Sequence, residues 1–187
     1  YETKWNDIKI FIEYGMLSDE KFCDAAMKFA LLANVEDKKF TLDEYKELIA
    51  ANQTDKDGNL VYLYATDKTA QYSYIKAAKD KGYDVLLIND QLGNHFVGLL
   101  EHKLEKSRFV RVDSDIVENL IVKEERKVSA MTPAERNIFS ELFRCQIPHV
   151  DKTEFLVSFE SLGSESQPVQ ITQSEYMRRM KELARKV

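Results

Sequence analysis

The chain predicts an α/β fold, a small three-layer sheet of parallel strands with crossover helices, followed by a partial α+β region. Three observations carry this. Leu60-Val61-Tyr62-Leu63-Tyr64-Ala65, Asp84-Val85-Leu86-Leu87-Ile88 and Arg108-Phe109-Val110-Arg111-Val112 have the length and side-chain types of strands. Between them, Thr69 to Lys81 and Gln91 to Leu104 have helix length. The strand runs are near-continuously apolar or aromatic, as a sheet covered on both faces requires, and right-handed crossovers place the helices over it.

The elements before the sheet are helical. Residues 2–14 form an amphipathic pattern in which Trp5, Ile8, Phe11 and Ile12 recur at three- and four-residue spacing. Gly15 is placed to end that helix and Ser18 to cap the next, whose apolar face reads Phe22, Ala25, Ala26, Phe29 and Leu32. Thr41-Leu42-Asp43-Glu44 is a capping box opening a short helix through Leu48. Asp57-Gly58 is a turn signal leading into the first strand.

After Val112 the pattern changes. Ser114 to Val122 suits a short helix, and Lys123-Glu124-Glu125-Arg126-Lys127 is either a linker or the solvated continuation of that helix. Thr132-Pro133-Ala134-Glu135 joins a capping threonine, a proline at the first helical position and a glutamate reaching back. The helix it opens carries Ile138, Phe139, Leu142 and Phe143 on one face and should stop before Pro148. Glu154 to Glu160 alternates like a strand, Leu162 to Gln167 reads as a Gly/Ser loop, Pro168 to Ile171 as a short strand, and Ser174 as the cap of a last helix running to Val187.

Composition narrows the function. In 187 residues, 44% are hydrophobic, with ten Phe and nine Tyr, so a real core can form. A net charge of -5 argues against a dedicated nucleic-acid binder. No apolar run approaches the ~18 residues of a membrane span, and no signal peptide is evident, so a cytoplasmic location is expected. Cys23 and Cys145 read as free, buried thiols in a reducing compartment. The chain begins with Tyr1 inside a helical pattern and ends in one, which suggests a piece of a longer protein.

The first strand-to-helix turn, Thr66-Asp67-Lys68-Thr69, lacks the glycines of a dinucleotide-binding loop. Ligands of open α/β sheets bind at the carboxyl ends of the strands, where Asp67, Asp90, Asp113 and Asp115 stand. Asp113-Ser114-Asp115 has spacing found in magnesium sites, which makes a magnesium-dependent phosphoryl-transfer or nuclease-type domain one reading. Helix capping and turn formation account for each aspartate individually. His95 and His102 lie two helical turns apart, about 10 Å along the axis, too far to share a metal. Tyr62, Tyr64, Tyr72 and Tyr74 read as core aromatics rather than a stacking platform for single strands. On the last helix, Tyr176, Met177, Met180 and Leu183 form an apolar face that suits either a varied partner or docking on the chain's own sheet.

With the strands placed, the order of motifs resembles the heat-shock protein 90 chaperone family, bacterial type. The residues that carry the resemblance are Lys4-Trp5-Asn6 through Lys9, Thr41 to Tyr45, Val61 to Thr66, Lys81-Gly82-Tyr83-Asp84-Val85-Leu86, and Leu100-Glu101 followed by Arg108-Phe109. Two stretches depart from the family pattern: Gly93-Asn94-His95 stands where an acidic-acidic-aromatic cluster is common, and Phe29-Ala30-Leu31-Leu32 replaces a leucine-leucine-arginine-phenylalanine run. The resemblance implies that residues 1–122 are the end of a middle domain and 123–187 the start of an incomplete C-terminal domain. It further implies no catalytic, cofactor or metal residues here, with ATP and magnesium bound in an N-terminal domain. Partly folded client proteins, that ATPase domain and C-terminal dimerisation helices are the implied partners, with no nucleic acid or membrane. By position, Tyr176, Met177, Met180 and Leu183 are the implied client contacts, with His95, Phe96 and Leu99 behind them.

Overall fold

The computed structural model describes residues 1–123, 131–151, 153–160 and 168–184, with side chains to residue 181. These fall into two compact units, Tyr1–Glu124 with Gln170–Val187, and Glu125–Val169. In the first unit a short 3-10 turn, Glu2–Lys4, leads into α1 (Trp5–Ser18) and α2 (Glu20–Ala26). Then come β1 (Leu31–Ala33), β2 (Lys39–Thr41), α3 (Leu42–Ala50), β3 (Leu60–Ala65), α4 (Tyr72–Asp80), β4 (Val85–Leu87), α5 (Gly93–Lys103), β5 (Ser107–Arg111) and α6 (Val117–Leu120). The second unit holds α7 (Pro133–Gln146), and α8 (Glu175–Ala184) returns to the first.

The main sheet has strand order β4-β3-β5, all parallel, with Tyr64 opposite both Leu86 and Arg111. All six residues of β3 are buried. Because side chains alternate across a strand, β3 feeds two separate cores. Leu60, Tyr62 and Tyr64 pack with Trp5, Ile49, Phe96 and Leu100, while Val61, Leu63 and Ala65 pack with Ile75, Ala78, Val117 and Leu120. The fold is thus the expected three-layer α/β arrangement, with α1, α2, α3 and α5 on one side and α4 and α6 on the other.

The amino-terminal elements differ from expectation in three ways. First, α1 runs through Gly15 to Ser18, and Asp19 rather than Ser18 caps α2, accepting from the Phe22 amide at 2.7 Å. Gly15 is needed for close approach: a Cβ there would stand 2.7 Å from the Phe22 ring. Second, the inward face of α1 is rotated from the predicted one. Trp5, Glu13 and Met16 are buried while Phe11 is 73% exposed, and on α2 the buried residues are Cys23 and Ala26, with Phe22 at the surface. Third, residues 31–41 form an antiparallel hairpin, β1 with β2, in the register Leu32↔Phe40. Its turn rests on Asn34, whose Oδ1 accepts from the Glu36 and Lys38 amides, and on Asp37 at φ +63°, a backbone region that Asp tolerates better than most residues.

Two polar clusters fasten these layers. Asp84, entering β4, accepts from the Asn34 side chain at 3.0 Å and the Tyr45 hydroxyl at 3.0 Å, and its own amide donates to Gln53 Oε1 at 2.6 Å. Gln53 also donates to the Val61 carbonyl at 2.8 Å, so the hairpin and α3 meet at the Asp84 carboxylate while Gln53 links the Asp84 amide to β3. Beside it, rings run in series from Phe40 to Tyr45 to Tyr62 to Phe109, the last pair stacked at 4.7 Å. Such pairs add ~0.5–1.5 kcal/mol beyond area burial. The Asp57-Gly58 turn forms as expected, with Gly58 at φ +78° and Asp55 Oδ1 accepting from the Asp57 and Asn59 amides.

In the second unit the Thr132–Glu135 capping box is present in full, and α7 stops before Pro148. Its apolar face is exposed, however: Ile138 is 62% and Leu142 57% accessible. Cys145 is exposed as well, whereas Cys23 is buried; both are free. Residues 154–160 form no strand. Phe155, Val157 and Phe159 do alternate inward, with Phe159 edge-on to Phe139 and Phe143, but no partner strand pairs with them among the described residues. Residues 168–171 are likewise unpaired. The charge run beyond Lys123 and the loop at 162–167 lie outside the described residues.

The hub at Asp84 yields a test. Tyr45→Phe keeps the ring and removes one donor to a half-buried carboxylate, so a loss of about 1–2 kcal/mol is expected in urea unfolding. Tyr62→Ala removes a fully buried ring from the same series and should cost about 3–5 kcal/mol.

Candidate functional site

In a sheet ordered β4-β3-β5, the chain reverses direction of winding between β3 and β5, and the crevice outside their carboxyl ends is where ligands of this fold class sit. Here the chain's own α8 lies against this end of the sheet and along α5 and β5. Arg178, 4% exposed, donates to the Tyr64 hydroxyl at 2.7 Å and to Glu175 Oε1. Asn94, in the first turn of α5, lies 3.5 Å from the Arg178 guanidinium. Arg179 forms a two-pronged pair with Glu101 of α5 at 2.8 and 3.1 Å and also reaches Glu175 at 2.8 Å. Upstream, Arg111 of β5 is clamped by Asp113 at 2.5 and 3.0 Å and by Gln173 at 2.9 Å, while the Tyr74 hydroxyl donates to the Ile171 carbonyl.

The electrostatics fit a fixed helix. Burial pushes the Tyr64 phenol well above its ordinary range, with Glu175 adding to the effect, so it stays a neutral hydrogen-bonding group. The Glu101 carboxylate, then Glu175, raises Arg179 further despite its partial burial. Sequence reasoning put the apolar residues of this helix inward as one option; instead the charged face is inward. Tyr176 is 69%, Met177 63% and Met180 48% exposed. The Leu183 side chain lies outside those described. A signal for this inversion stands in the sequence: Glu175 precedes Arg178 and Arg179 at helical i,i+3 and i,i+4 spacing, and Tyr64 is the last residue but one of a strand.

Of the residues placed behind that face, His95 is on the exposed side of α5. Leu99 is half-buried and packs on the core, and Phe96, 3% exposed, is part of the core itself. Phe96 is therefore corrected from surface contact to core residue. It follows from α5 geometry: Phe96, Val97 and Leu100 share the face that covers β3 and β5.

The strand-end aspartates do not converge. Asp67 accepts from the Thr69 and Ala70 amides in the turn before α4, whose N-cap is Gln71, so it closes a turn and does not cap the helix as expected. Asp90 instead pairs with Lys9 at 2.7 Å and Asp113 with Arg111, whereas Asp115 accepts from the Ile116 amide and the Asn119 side chain. Among the described residues no three His, Cys, Asp or Glu side chains are grouped to hold a metal ion. A carboxylate closed by arginine is poorly suited to a cation, and the phosphoryl-transfer reading finds no support. No described helix is long and apolar enough to cross a membrane.

No protein-family model matches the sequence. Among curated proteins, the chain is 55% identical to the chaperone protein HtpG of Bacteroides fragilis over 184 residues, 98% of this chain and 27% of that protein. The corresponding chaperones of Bacteroides thetaiotaomicron and Porphyromonas gingivalis are 54% and 53% identical over the same spans. The chain thus covers about a quarter of the length of these relatives. A solved structure, the middle domain of a Plasmodium falciparum heat shock protein, aligns with 60% of this chain and 47% of its own at a TM-score of 0.46 and 21% identity, too distant to bear on function.

The α8 anchor separates two arginines by burial. Arg178→Ala leaves Tyr64 and Glu175 without their shared partner, and should cost about 2–4 kcal/mol of docking free energy. It is expected to raise amide hydrogen exchange through residues 175–184. Arg179→Ala breaks a half-exposed pair and should cost about 1 kcal/mol or less.

Proposed function

The chain is homologous over nearly its whole length to part of the bacterial HtpG chaperones, and we propose that it is a non-catalytic segment of such a chaperone, one that holds partly folded client proteins. The homology, above half identity across the chain, is the observation that carries the reading. In this reading residues 1–122 end a middle domain and residues 123–187 begin a C-terminal domain. ATP and magnesium are bound by an N-terminal ATPase domain of the longer protein, dimerisation helices complete its carboxyl end, and it works in the cytoplasm as a homodimer.

The client surface on this reading is the outer face of α8, with Tyr176, Met177 and Met180, and Leu183 by helical spacing. Two physical features support it. The Tyr176, Met177 and Met180 side chains are large, apolar and exposed on a helix whose opposite face is fixed by buried charge, so they are presented without ordering cost at binding. Methionine adapts its shape to irregular partners, which suits a surface that meets many sequences. His95 on α5 is the remaining exposed candidate.

Binding of a permanently unfolded, fluorescently labelled polypeptide to the 187-residue chain tests this. The expected result is weak, salt-tolerant binding that falls at least five-fold for Met177→Glu with Met180→Glu, while hydrogen exchange in α8 stays protected. Unchanged affinity with α8 still docked would remove the client role from this helix. No binding by either protein would remove the holding role from the segment.

A further inference from the structure

A second buried charge cluster lies on the same side of the sheet, where α1 meets the turn after β4. Glu13 is 1% exposed, in the middle of α1. Lys9, one turn earlier, lies 3.5 Å from Glu13 and 2.7 Å from Asp90, which stands between β4 and α5. Two carboxylates therefore share one ammonium. Glu13 Oε2 and Asp90 Oδ1 are both buried with no hydrogen-bond partner. An orphaned carboxylate oxygen of this kind costs free energy when charged and much less when protonated. The adjoining cavity, about 10 Å³ and walled by Leu31, Leu32, Leu86, Ile88 and Phe96, is too small for a ligand larger than water.

We propose that Lys9, Glu13 and Asp90 form a proton-linked latch: with Glu13 neutral, the Lys9–Asp90 pair closes α1 onto the entry to α5, and ionisation of Glu13 loosens it. Loss of the Glu13 proton to solvent leaves two negative charges competing for Lys9, with Glu13 itself buried and the Lys9–Asp90 pair only partly exposed. The remaining charged groups on the elements against α1 are engaged elsewhere or at the surface. On α2, Glu20 and Asp24 are bound by Lys103 of α5, and Lys21 is exposed. On α5, Glu101 is held by Arg179, and His95 and His102 are exposed. Before α1, Glu2 and Lys4 are exposed, while β1 presents only Leu31, Leu32 and Ala33. Cys23 of α2 is raised by burial and stays a neutral thiol. Burial, moderated by Lys9 and reinforced by Asp90, pushes Glu13 up from 4.5 to about 7.

The sign follows from linkage. Since Glu13 is raised in the folded state, the folded chain binds more protons than the unfolded chain between pH 4.5 and about 7. Raising pH through that window lowers stability; below it both states are protonated and above it the loss is complete. This holds whether or not α8 contacts clients.

The test is a ¹³C NMR titration of the Glu13 side-chain carboxyl in the 187-residue chain, with amide exchange of α1 and residues 88–93 followed over the same range. A midpoint near 7, with α1 protection falling across it once intrinsic exchange rates are corrected, is expected. Glu13→Gln, which cannot ionise, should hold that protection constant and show a smaller fall in Tm from pH 5.5 to 8. A midpoint near 4.5, or one near 7 with unchanged α1 protection, would overturn the latch. If Glu13→Gln does not fold, the two measurements on the unaltered chain decide.

Discussion

Everything in the α/β unit depends on the double-sided burial of β3. A three-stranded parallel sheet is small, and its central strand is stable only if both faces are covered. The side chains of Leu60–Ala65 are split between two cores, so helices must lie on both sides of the sheet. The right-handed crossovers β3-α4-β4 and β4-α5-β5 supply one helix to each face. One α5-side layer is not enough to cover the aromatic face of β3, and α1, α2, α3 and the β1–β2 hairpin are added there. The chain before β3 is in this sense the lid of the sheet rather than a separate element.

That arrangement explains the distribution of buried polar groups. Each cluster stands where a helix or hairpin has to be fixed to an end of the sheet. Asp84 gathers the hairpin, α3 and Gln53 at the start of β4. Arg178 gathers Tyr64, Glu175 and Asn94 at the carboxyl ends of β3 and β5. Lys9 joins α1 to the turn after β4. The second and third each hold a buried carboxylate oxygen without a donor, Glu175 Oε2 in one and Glu13 Oε2 and Asp90 Oδ1 in the other. What sets the third apart is its charge balance, two carboxylates to one ammonium, where the second has two arginines beside Glu175. At the carboxyl ends of β3 and β5 it is Arg178 that ties α8 to Tyr64 and Asn94.

Some of the candidate surface was legible in advance and some was not. The exposure of Tyr176, Met177 and Met180 is one of the two placements that their helical spacing allows. The reason this face is exposed was hidden, because a helix with apolar and charged faces is ordinarily turned apolar side inward. The inversion needs Glu101, Tyr64 and Glu175 to meet the arginines in three dimensions, and Glu101 lies 78 residues from Arg179. Phe96 was misplaced for a simpler reason: spacing gave it a helix, but only the position of that helix over β3 told which face is inward. In the same way, Glu13 carried no warning in a helix otherwise read by its apolar residues.

Local chemistry determined what local chemistry controls. Strand-length apolar runs, two capping boxes and an Asp-Gly turn specified β3, α3, α7 and the approach to the sheet, because each is satisfied within a few residues of itself. Tertiary structure alone decided the rest: the rotation of α1, the β1–β2 hairpin, the separate fates of Asp67, Asp90, Asp113 and Asp115, and the burial of Glu13 and Arg178. A carboxylate or guanidinium has no preference of its own between capping, pairing and exposure. Its state is set by the charges and dry surface that distant parts of the chain bring within about 4 Å of it.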